Sequence, residues 1–403
     1  MKAGVGYSEN SDTAAAGREI AEAALKQAGK SGPCDLVLLF STAQHDAQTL
    51  RDAVTQVLGE RALVVGGGAV GAISNDRFGY VGSQAIAAAL WLDGATCEFF
   101  SEGGLSKDET LAGERLGRQM AQAGVKAGTS VMLFYDAIDR SGEDTRLIMA
   151  TYLLEGLEKG LGFMPRLVGA GLQGDITGAS MPQYTGDDLV EHTALALSFG
   201  GDVRMDTVIM HGCRPATGYY TVTKADRQTI LEINGQPALP FVMSLMGPNA
   251  SQDDLPFFLI LGVNRGDKWG EFDENVYSNR LCLALDKERN GLVMFEPDMQ
   301  AGTEFQIMQR SLDLEYIAPN IEGLFAGLGD REPVLAVYID CAGRAAGYAG
   351  MEMDDAGVVQ KVVNARVPLL GLYTGVEIAP VLGRPRGLDW TGVFNLFSVS
   401  RRK

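Results

Sequence analysis

The sequence predicts a mixed α/β (α+β) fold in two domains: an internally duplicated N-terminal domain over residues 1–204 and a more strand-rich α/β domain over residues 205–403. Three observations lead there. The run Leu63-Val64-Val65-Gly66-Gly67-Gly68-Ala69-Val70-Gly71-Ala72-Ile73 returns about a hundred residues later as Arg166-Leu167-Val168-Gly169-Ala170-Gly171-Leu172-Gln173-Gly174-Asp175-Ile176, and self-similarity at a fixed spacing marks duplicated units. Helix-period stretches alternate with short continuous apolar runs, the pattern of strands buried on both faces. Beyond about residue 205 the repeat is lost, and strand-like runs separated by polar turns take over.

In chain order, residues 13–28 read as an alanine-rich amphipathic helix with Ile20, Ala24 and Leu25 on one face, capped by Ser11 or Asp12 and ended by Gly29. Residues 35–40 form a buried strand, 47–58 a second helix, and the strand opening at Leu63 breaks into a glycine-rich turn before another strand over 83–92. The same order then returns. Ala112-Gly113-Glu114-Arg115-Leu116 matches Ala16-Gly17-Arg18-Glu19-Ile20, and residues 130–135 match the first buried strand. A helix from Glu143 to Lys159, the second glycine turn and a strand over 193–199 follow. The repeats therefore span about 1–94 and 95–203, and two copies of one motif are expected to pack with pseudo-two-fold symmetry. The second domain starts with Val208 to Pro215 and continues with strands at 219–223, 229–233, 257–263, 280–285, 291–295 and 304–309 and a helix over 312–328. It closes with strand 334–340, helix 354–363, and strands 369–374 and 393–399.

Composition narrows the function. Fifty-one acidic against 34 basic residues give a net charge of −17, which repels nucleic acid and anionic bilayers. With 46% hydrophobic and 21% charged residues the chain reads as soluble and globular. The N-terminus lacks the apolar core of a secretory signal, and no apolar run approaches the ~20 residues of a membrane span. Five cysteines without CxxC spacing indicate reduced thiols and no structural zinc, so a cytoplasmic location is expected.

Both glycine runs satisfy GxGxxG. A dinucleotide fingerprint needs the third glycine to open a helix whose N-terminus holds the pyrophosphate. Gly71 leads instead into Ala72-Ile73-Ser74-Asn75-Asp76-Arg77, and Gly174 into Asp175-Ile176-Thr177-Gly178, neither of which starts a helix. The runs are read as backbone turns at equivalent strand ends.

Gly212-Cys213-Arg214-Pro215, Val222-Thr223, Leu231-Glu232-Ile233-Asn234-Gly235-Gln236-Pro237-Ala238, Cys341-Ala342-Gly343-Arg344, Pro368 to Tyr373 and Glu377-Ile378-Ala379-Pro380 together resemble the FIST C-terminal domain. Gly66 to Ile73 with Phe78-Gly79-Tyr80-Val81-Gly82-Ser83 resembles the FIST N-terminal domain. Two departures stand out: Gly375-Val376-Glu377-Ile378 is one residue longer than the usual Gly-Glu-Ile, and Asp389-Trp390-Thr391-Gly392 replaces a small polar or histidine-containing stretch. The resemblance implies a small-molecule-binding sensory protein of an intracellular bacterial signal-transduction system. With no output domain before Lys403, it is expected to act on a separate signalling protein such as a histidine kinase. It also implies an alternative, a haem-based nitric oxide sensor.

Asp340, Cys341 and Arg344 follow one buried-looking strand, and Tyr373 and Glu377 follow another. Ligand sites gather at the carboxyl ends of strands in alternating α/β folds. Arg344 with Glu377 could hold the carboxylate and ammonium of an amino acid or related metabolite, and a structural ion pair is the competing reading. Arg214 offers the same choice, with structure favoured. His45, His192 and His211 share no ligand spacing; no resident cofactor or metal is expected, with His211 the candidate should haem be bound. Cys213 or Cys341 with His211 or His192 could make a thiol nucleophile and base, with Arg344 lowering the Cys341 pKa, as in a hydrolase or transferase. No third orienting group is legible, so no catalytic residue is assigned and no enzyme is expected. Asp187-Asp188 and Asp354-Asp355 read as loop or helix-cap carboxylates.

Overall fold

The computed structural model describes residues 1–401 except 143, 144, 248, 250 and 312. Its building block is visible in the first ninety residues: a strand (Lys2–Ser8), a helix (Thr13–Ala28), a strand (Leu36–Ser41), a helix (Ala47–Leu58), a strand (Leu63–Gly68), a small hairpin (Gly71–Ile73 with Phe78–Gly79) and a last strand (Ala85–Trp91). Asp12 starts the first helix by accepting the Ala15 N–H, and Gly29 ends it in a left-handed conformation (φ 59°). The last strand inserts antiparallel between the first and second, while the second and third pair in parallel. One face carries both helices and the other looks inward, so Val37 and Leu39 pack under the helices while Leu36, Leu38 and Phe40 enter a central core. Burial on both faces is why these strands read as continuous apolar runs.

The second unit repeats this order with Thr96–Glu102, Glu109–Gln122, Ser130–Asp136, Ala150–Leu161, Arg166–Leu172, the hairpin Gln183–Thr185 with Asp188–Val190, and Ala194–Gly200. The helix expected from Glu143 begins at Ala150; Glu143 itself lies outside the described residues. The expected domain limit at 204/205 falls at the start of the strand Arg204–Met210, after this unit's last strand.

The repeat does not end there. A third copy runs through Arg204–Met210, Ile317–Ala326, Arg331–Cys341, Asp355–Val363, Leu369–Thr374, the hairpin Val376–Val381 with Arg384–Leu388, and Gly392–Ser400, with the same strand order and pairing senses. About a hundred intervening residues hide it. Within them, six antiparallel strands close into a small barrel, because Glu304–Arg310 pairs with both Tyr220–Asp226 and Ile260–Asn264. Val222, Leu261, Leu292 and Phe305 fill that barrel. The helix expected from Leu312, a residue outside those described, spans Ile317–Ala326.

The three sheets face one another around a shared core. Phe40 meets Phe134 edge-on at 5.1 Å between the first and second sheets, and Phe199 meets Phe397 at 5.3 Å between the second and third. Each hairpin leaves its own unit: the first unit's pairs with the third sheet, the second's with the first, and the third's with the second. Every third strand thus has its open edge covered by a neighbour, which removes a template for edge-to-edge aggregation. The arrangement of units is therefore a three-membered ring.

Apart from Gly174, the glycines read as turns sit inside strands. A Cβ at Gly66 would lie 2.0 Å from the carbonyl oxygen of Leu39, and one at Gly169 would lie 1.8 Å from that of Leu133, the corresponding atom of the second unit. The helix glycines match too: a Cβ at Gly17 would meet the Ala53 methyl at 2.6 Å, and one at Gly113 the Leu153 carbonyl at 2.2 Å. Gly323, by contrast, is an exposed helix glycine with nothing within 4 Å of its Cβ position. Gly323→Ala is expected to raise stability by about 0.5–1 kcal/mol, read as a higher urea midpoint. No helix among the described residues is long and apolar enough to cross a membrane.

Candidate functional site

The carboxyl ends of the second and third strands of unit three place Asp340, Cys341, Tyr373 and Thr374 side by side, with Asp340 opposite Tyr373 and Cys341 opposite Thr374 in register. Arg344 follows on a short turn and is buried. All of its N–H groups are engaged by protein. Nε donates to Asp340 Oδ1 at 3.0 Å, Nη1 to the carbonyls of His211 (3.0 Å) and Trp390 (3.3 Å), and Nη2 to the Tyr316 hydroxyl (2.8 Å) and the Asp355 carboxylate. Arg344 therefore has no donor left for a ligand carboxylate; the geometry is that of the structural ion pair. Asp355, read as a helix-cap carboxylate, belongs to this buried cluster, while the cap itself is Asp354.

Next to this cluster lies a cavity of about 180 Å³. One wall comes from unit three (Cys341, Ala342, Gly343, Thr374, Gly375, Val376), the facing wall from unit two (Ala137, Ile138, Gln173, Ile176, Thr177), and the barrel supplies the roof with Phe257, Leu281, Leu283 and Phe295. Asp389 is the acidic residue lining it. The second glycine run reaches this cavity through Gln173 and Ile176, whereas the equivalent end of the first continues into a hairpin paired with unit three. Two residues here hold left-handed backbone without being glycine, Phe257 (φ 64°) and Trp390 (φ 52°), conformations that cost energy and concentrate at functional sites. Arg310 pins both segments, stacking 3.5 Å over the Trp390 ring and donating to the Phe257 carbonyl at 2.6 Å.

The other expected residues divide around the cavity. Glu377 is fully buried; its Oε1 accepts the Thr374 hydroxyl at 3.3 Å and its Oε2 has no partner. Tyr373 is buried and donates to Asp354, with Tyr80 of unit one packed edge-on against its ring. Arg214 is exposed on the barrel side, over the Phe272 ring at 5.6 Å, and lines no part of the cavity. His211 does not fit the role of axial haem ligand: it is buried, its Nδ1 accepts the Cys213 N–H at 2.9 Å, and its Nε2 is 3.1 Å from the Glu274 carbonyl. The two thiols named as candidate nucleophiles are buried. Burial pushes Cys341 well above the ordinary thiol range, outweighing any help from Arg344, and pushes Cys213 up to about 12. Among the described residues no group of three or more His, Cys, Asp or Glu could hold a metal. Asp389, Gln173 and the barrel roof are the residues that sequence reasoning did not nominate; the one signal was the unusual Asp389-Trp390-Thr391-Gly392 stretch.

Electrostatics in this region act on stability. Burial pushes Asp389 up to about 7, with Glu296 and Asp298 adding to it and Arg280 opposing, and burial likewise pushes Asp136 up to about 7. Between about 3.9, the unfolded value, and 7 the folded chain keeps protons that the unfolded chain releases, so stability falls as pH rises through that window. His211, lowered to about 4 by burial, works oppositely and costs stability as pH drops below ~6.5. Between about pH 6.5 and 8 the carboxyls dominate, and the urea midpoint is expected to fall over that range, with a smaller fall in Asp136→Asn.

A FIST N domain model matches residues 35–236 and a FIST C domain model matches residues 238–380. An uncharacterized protein of Mycobacterium tuberculosis (strain CDC 1551 / Oshkosh) is 23% identical over 409 residues, covering 98% of this chain and all of its own. Another from Mycobacterium bovis (strain ATCC BAA-935 / AF2122/97) is 24% identical over 417 residues, covering 98% of this chain and 99% of its own. Among solved structures, a cyanuric acid hydrolase from A. caulinodans overlays on 100% of this chain and 99% of its own with TM-score 0.39 and 9% identity. A chorismatase covers 91% of this chain and 93% of its own with TM-score 0.33 and 11% identity. Both overlays are too loose to bear on activity. The two domain models span both glycine runs and every residue lining the cavity except Asp389, and the chain belongs to the FIST family, whose domains are sensory domains of signalling systems.

Proposed function

We propose that the chain is a small-molecule sensor whose ligand, of amino-acid size or smaller, binds in the cavity between units two and three beneath the barrel. The carrying observation is the cavity itself: about 180 Å³, mostly apolar, and built from three parts of the chain. A ligand in that position touches the barrel and two units at once, so it favours one placement of the barrel over another by its differential affinity. Occupancy is then read by a separate signalling protein, of which a histidine kinase is the type that the family suggests. The polar contacts available are Thr374, Gln173, Thr177 and Asp389 rather than Arg344.

The test is a thermal-shift screen of amino acids and related small metabolites, since a ligand raises stability by mass action. It is paired with Gly343→Leu. A Cβ at Gly343 has only ordinary contacts, 3.7 Å to the Trp390 ring and 3.8 Å to Cys341 Sγ, so the variant is expected to fold while its side chain occupies the cavity. Affinity for any ligand found should drop at least about tenfold, roughly 1.4 kcal/mol. Unchanged affinity in folded Gly343→Leu would place the ligand elsewhere.

A further inference from the structure

We propose that the ligand of this cavity carries a protonated amine, held by Asp389 with Glu377 behind it, on an apolar body of about the size of one ring. The inference rests on the reading of the cavity as the ligand site and adds the ligand's charge and shape.

The wall chemistry sets the sign. Asp389 is 4% exposed and lines the cavity; Oδ2 accepts the Leu281 N–H at 2.9 Å, and Oδ1 has no hydrogen-bond partner among the described residues. Glu377 is fully buried with Oε2 unpartnered, and it reaches the cavity wall through the Thr374 hydroxyl. The two buried guanidiniums nearby are engaged elsewhere. Arg344 is divided between Asp340, Asp355, Tyr316 and two carbonyls. Arg280 binds Asp298 through two hydrogen bonds (2.5 and 2.8 Å) and turns Nη1 to the carbonyls of Asn279 and Gly387. Arg310, which has no acidic partner among the described residues, is not a lining residue: it stacks on the Trp390 ring and turns Nη2 to the Phe257 and Phe258 carbonyls. An entering carboxylate would therefore meet acidic groups on the wall itself, and buried charges persist only when paired.

The hydrogen-bond inventory points the same way. An ammonium offers three donors and no acceptor. The residues lining the cavity offer acceptors: Asp389 Oδ1, the lone pairs of the Thr374 and Thr177 hydroxyls, and Gln173 Oε1, which is left over because Gln173 Nε2 donates to the Asp175 carbonyl at 3.1 Å. The orientation of Gln173 is fixed by that bond, with Oε1 toward Gly375 on the unit-three wall. The remaining surface, from Ile138, Phe257, Leu281, Phe295 and Val376, suits a hydrocarbon body. An apolar cavity of ~150 Å³ takes up benzene, so about 180 Å³ accommodates a single ring with a short aminomethyl arm.

The experiment is calorimetric titration at neutral pH with three probes of matched shape: benzylamine, benzyl alcohol and benzoate. Benzylamine is expected to bind at least tenfold more tightly than benzyl alcohol, and benzoate not to bind. In Asp389→Asn, where the amide oxygen can still accept the Leu281 N–H, the amine should lose its advantage while the alcohol binds as before; Glu377→Gln is the second variant should the first fail to fold. Benzoate binding as tightly as benzylamine, or a tenfold amine preference surviving in both folded variants, overturns the proposal. If alcohol or benzoate alone binds and Gly343→Leu abolishes it, the cavity remains the ligand site and the amine assignment falls. If none of the three binds at millimolar concentration, both readings fall.

Discussion

Arg344→Met is expected to lower the free energy of unfolding by about 3–5 kcal/mol, a large part of the ~5–15 kcal/mol available to a typical domain. Arg344 is 5% exposed, and its removal strands the carboxyls of Asp340 (0% exposed) and Asp355 (5% exposed) in the interior. Asp340 already has one oxygen without a partner, and burial pushes its pKa well above the carboxylate range even with Arg344 beside it. The same change frees the carbonyls of His211 and Trp390, which lie where the barrel joins unit three. Urea unfolding followed by circular dichroism measures the effect, and a loss below about 1 kcal/mol would mean that the cluster is not a structural centre. Because the cost comes from unpaired charge, Arg344→Met combined with Asp340→Asn and Asp355→Asn should recover much of it.

A single methyl group on Gly169 should be nearly as damaging. Gly169→Ala places a Cβ 1.8 Å from the Leu133 carbonyl oxygen, a backbone atom of the neighbouring parallel strand that cannot rotate away. Either the two strands separate or the pairing of the unit-three hairpin, whose Ile378 is opposite Gly169, gives way. A loss of about 2–3 kcal/mol is expected, at the upper end of overpacking costs. Gly66→Ala should behave alike, with its Cβ 2.0 Å from the Leu39 carbonyl and φ at 149°. Thermal unfolding of the two variants beside Gly323→Ala makes the comparison internal: two glycine-to-alanine changes that destabilise and one that stabilises.

These glycines also show how far the sequence could be read. Their spacing reveals the duplication correctly, and the apolar runs at Leu36–Ser41 and Ser130–Asp136 are strands in matching places. Their conformation is misread because a missing Cβ signals either a turn or a close approach, and only tertiary structure decides between them. The third unit is invisible for a different reason. The barrel separates its first strand from the rest, and the glycines of the earlier units become Leu372 and Tyr373 around a lone Gly371, whose Cβ would instead strike Ile73 of the unit-one hairpin at 2.6 Å. Of the site, Cys341 was legible from its place at a strand end, and Glu377 from its place in the motif. Gln173, Phe257, Leu281 and Asp389 come from separate stretches that the ring and barrel bring together, and no local pattern records that meeting.

The exchange of hairpins has a consequence for how the chain is made. The hairpin at Gly71–Ile73 finds its partner only when Leu369–Thr374 exists, roughly 300 residues later, and synthesis at ~5–20 residues per second sets a delay of about 15–60 s. Throughout that interval the first unit is on the ribosome with an apolar strand and its inner sheet face waiting. The contact that closes the ring waits for the third unit, so the ring cannot form before that unit is made, whatever the speed of folding within the first two.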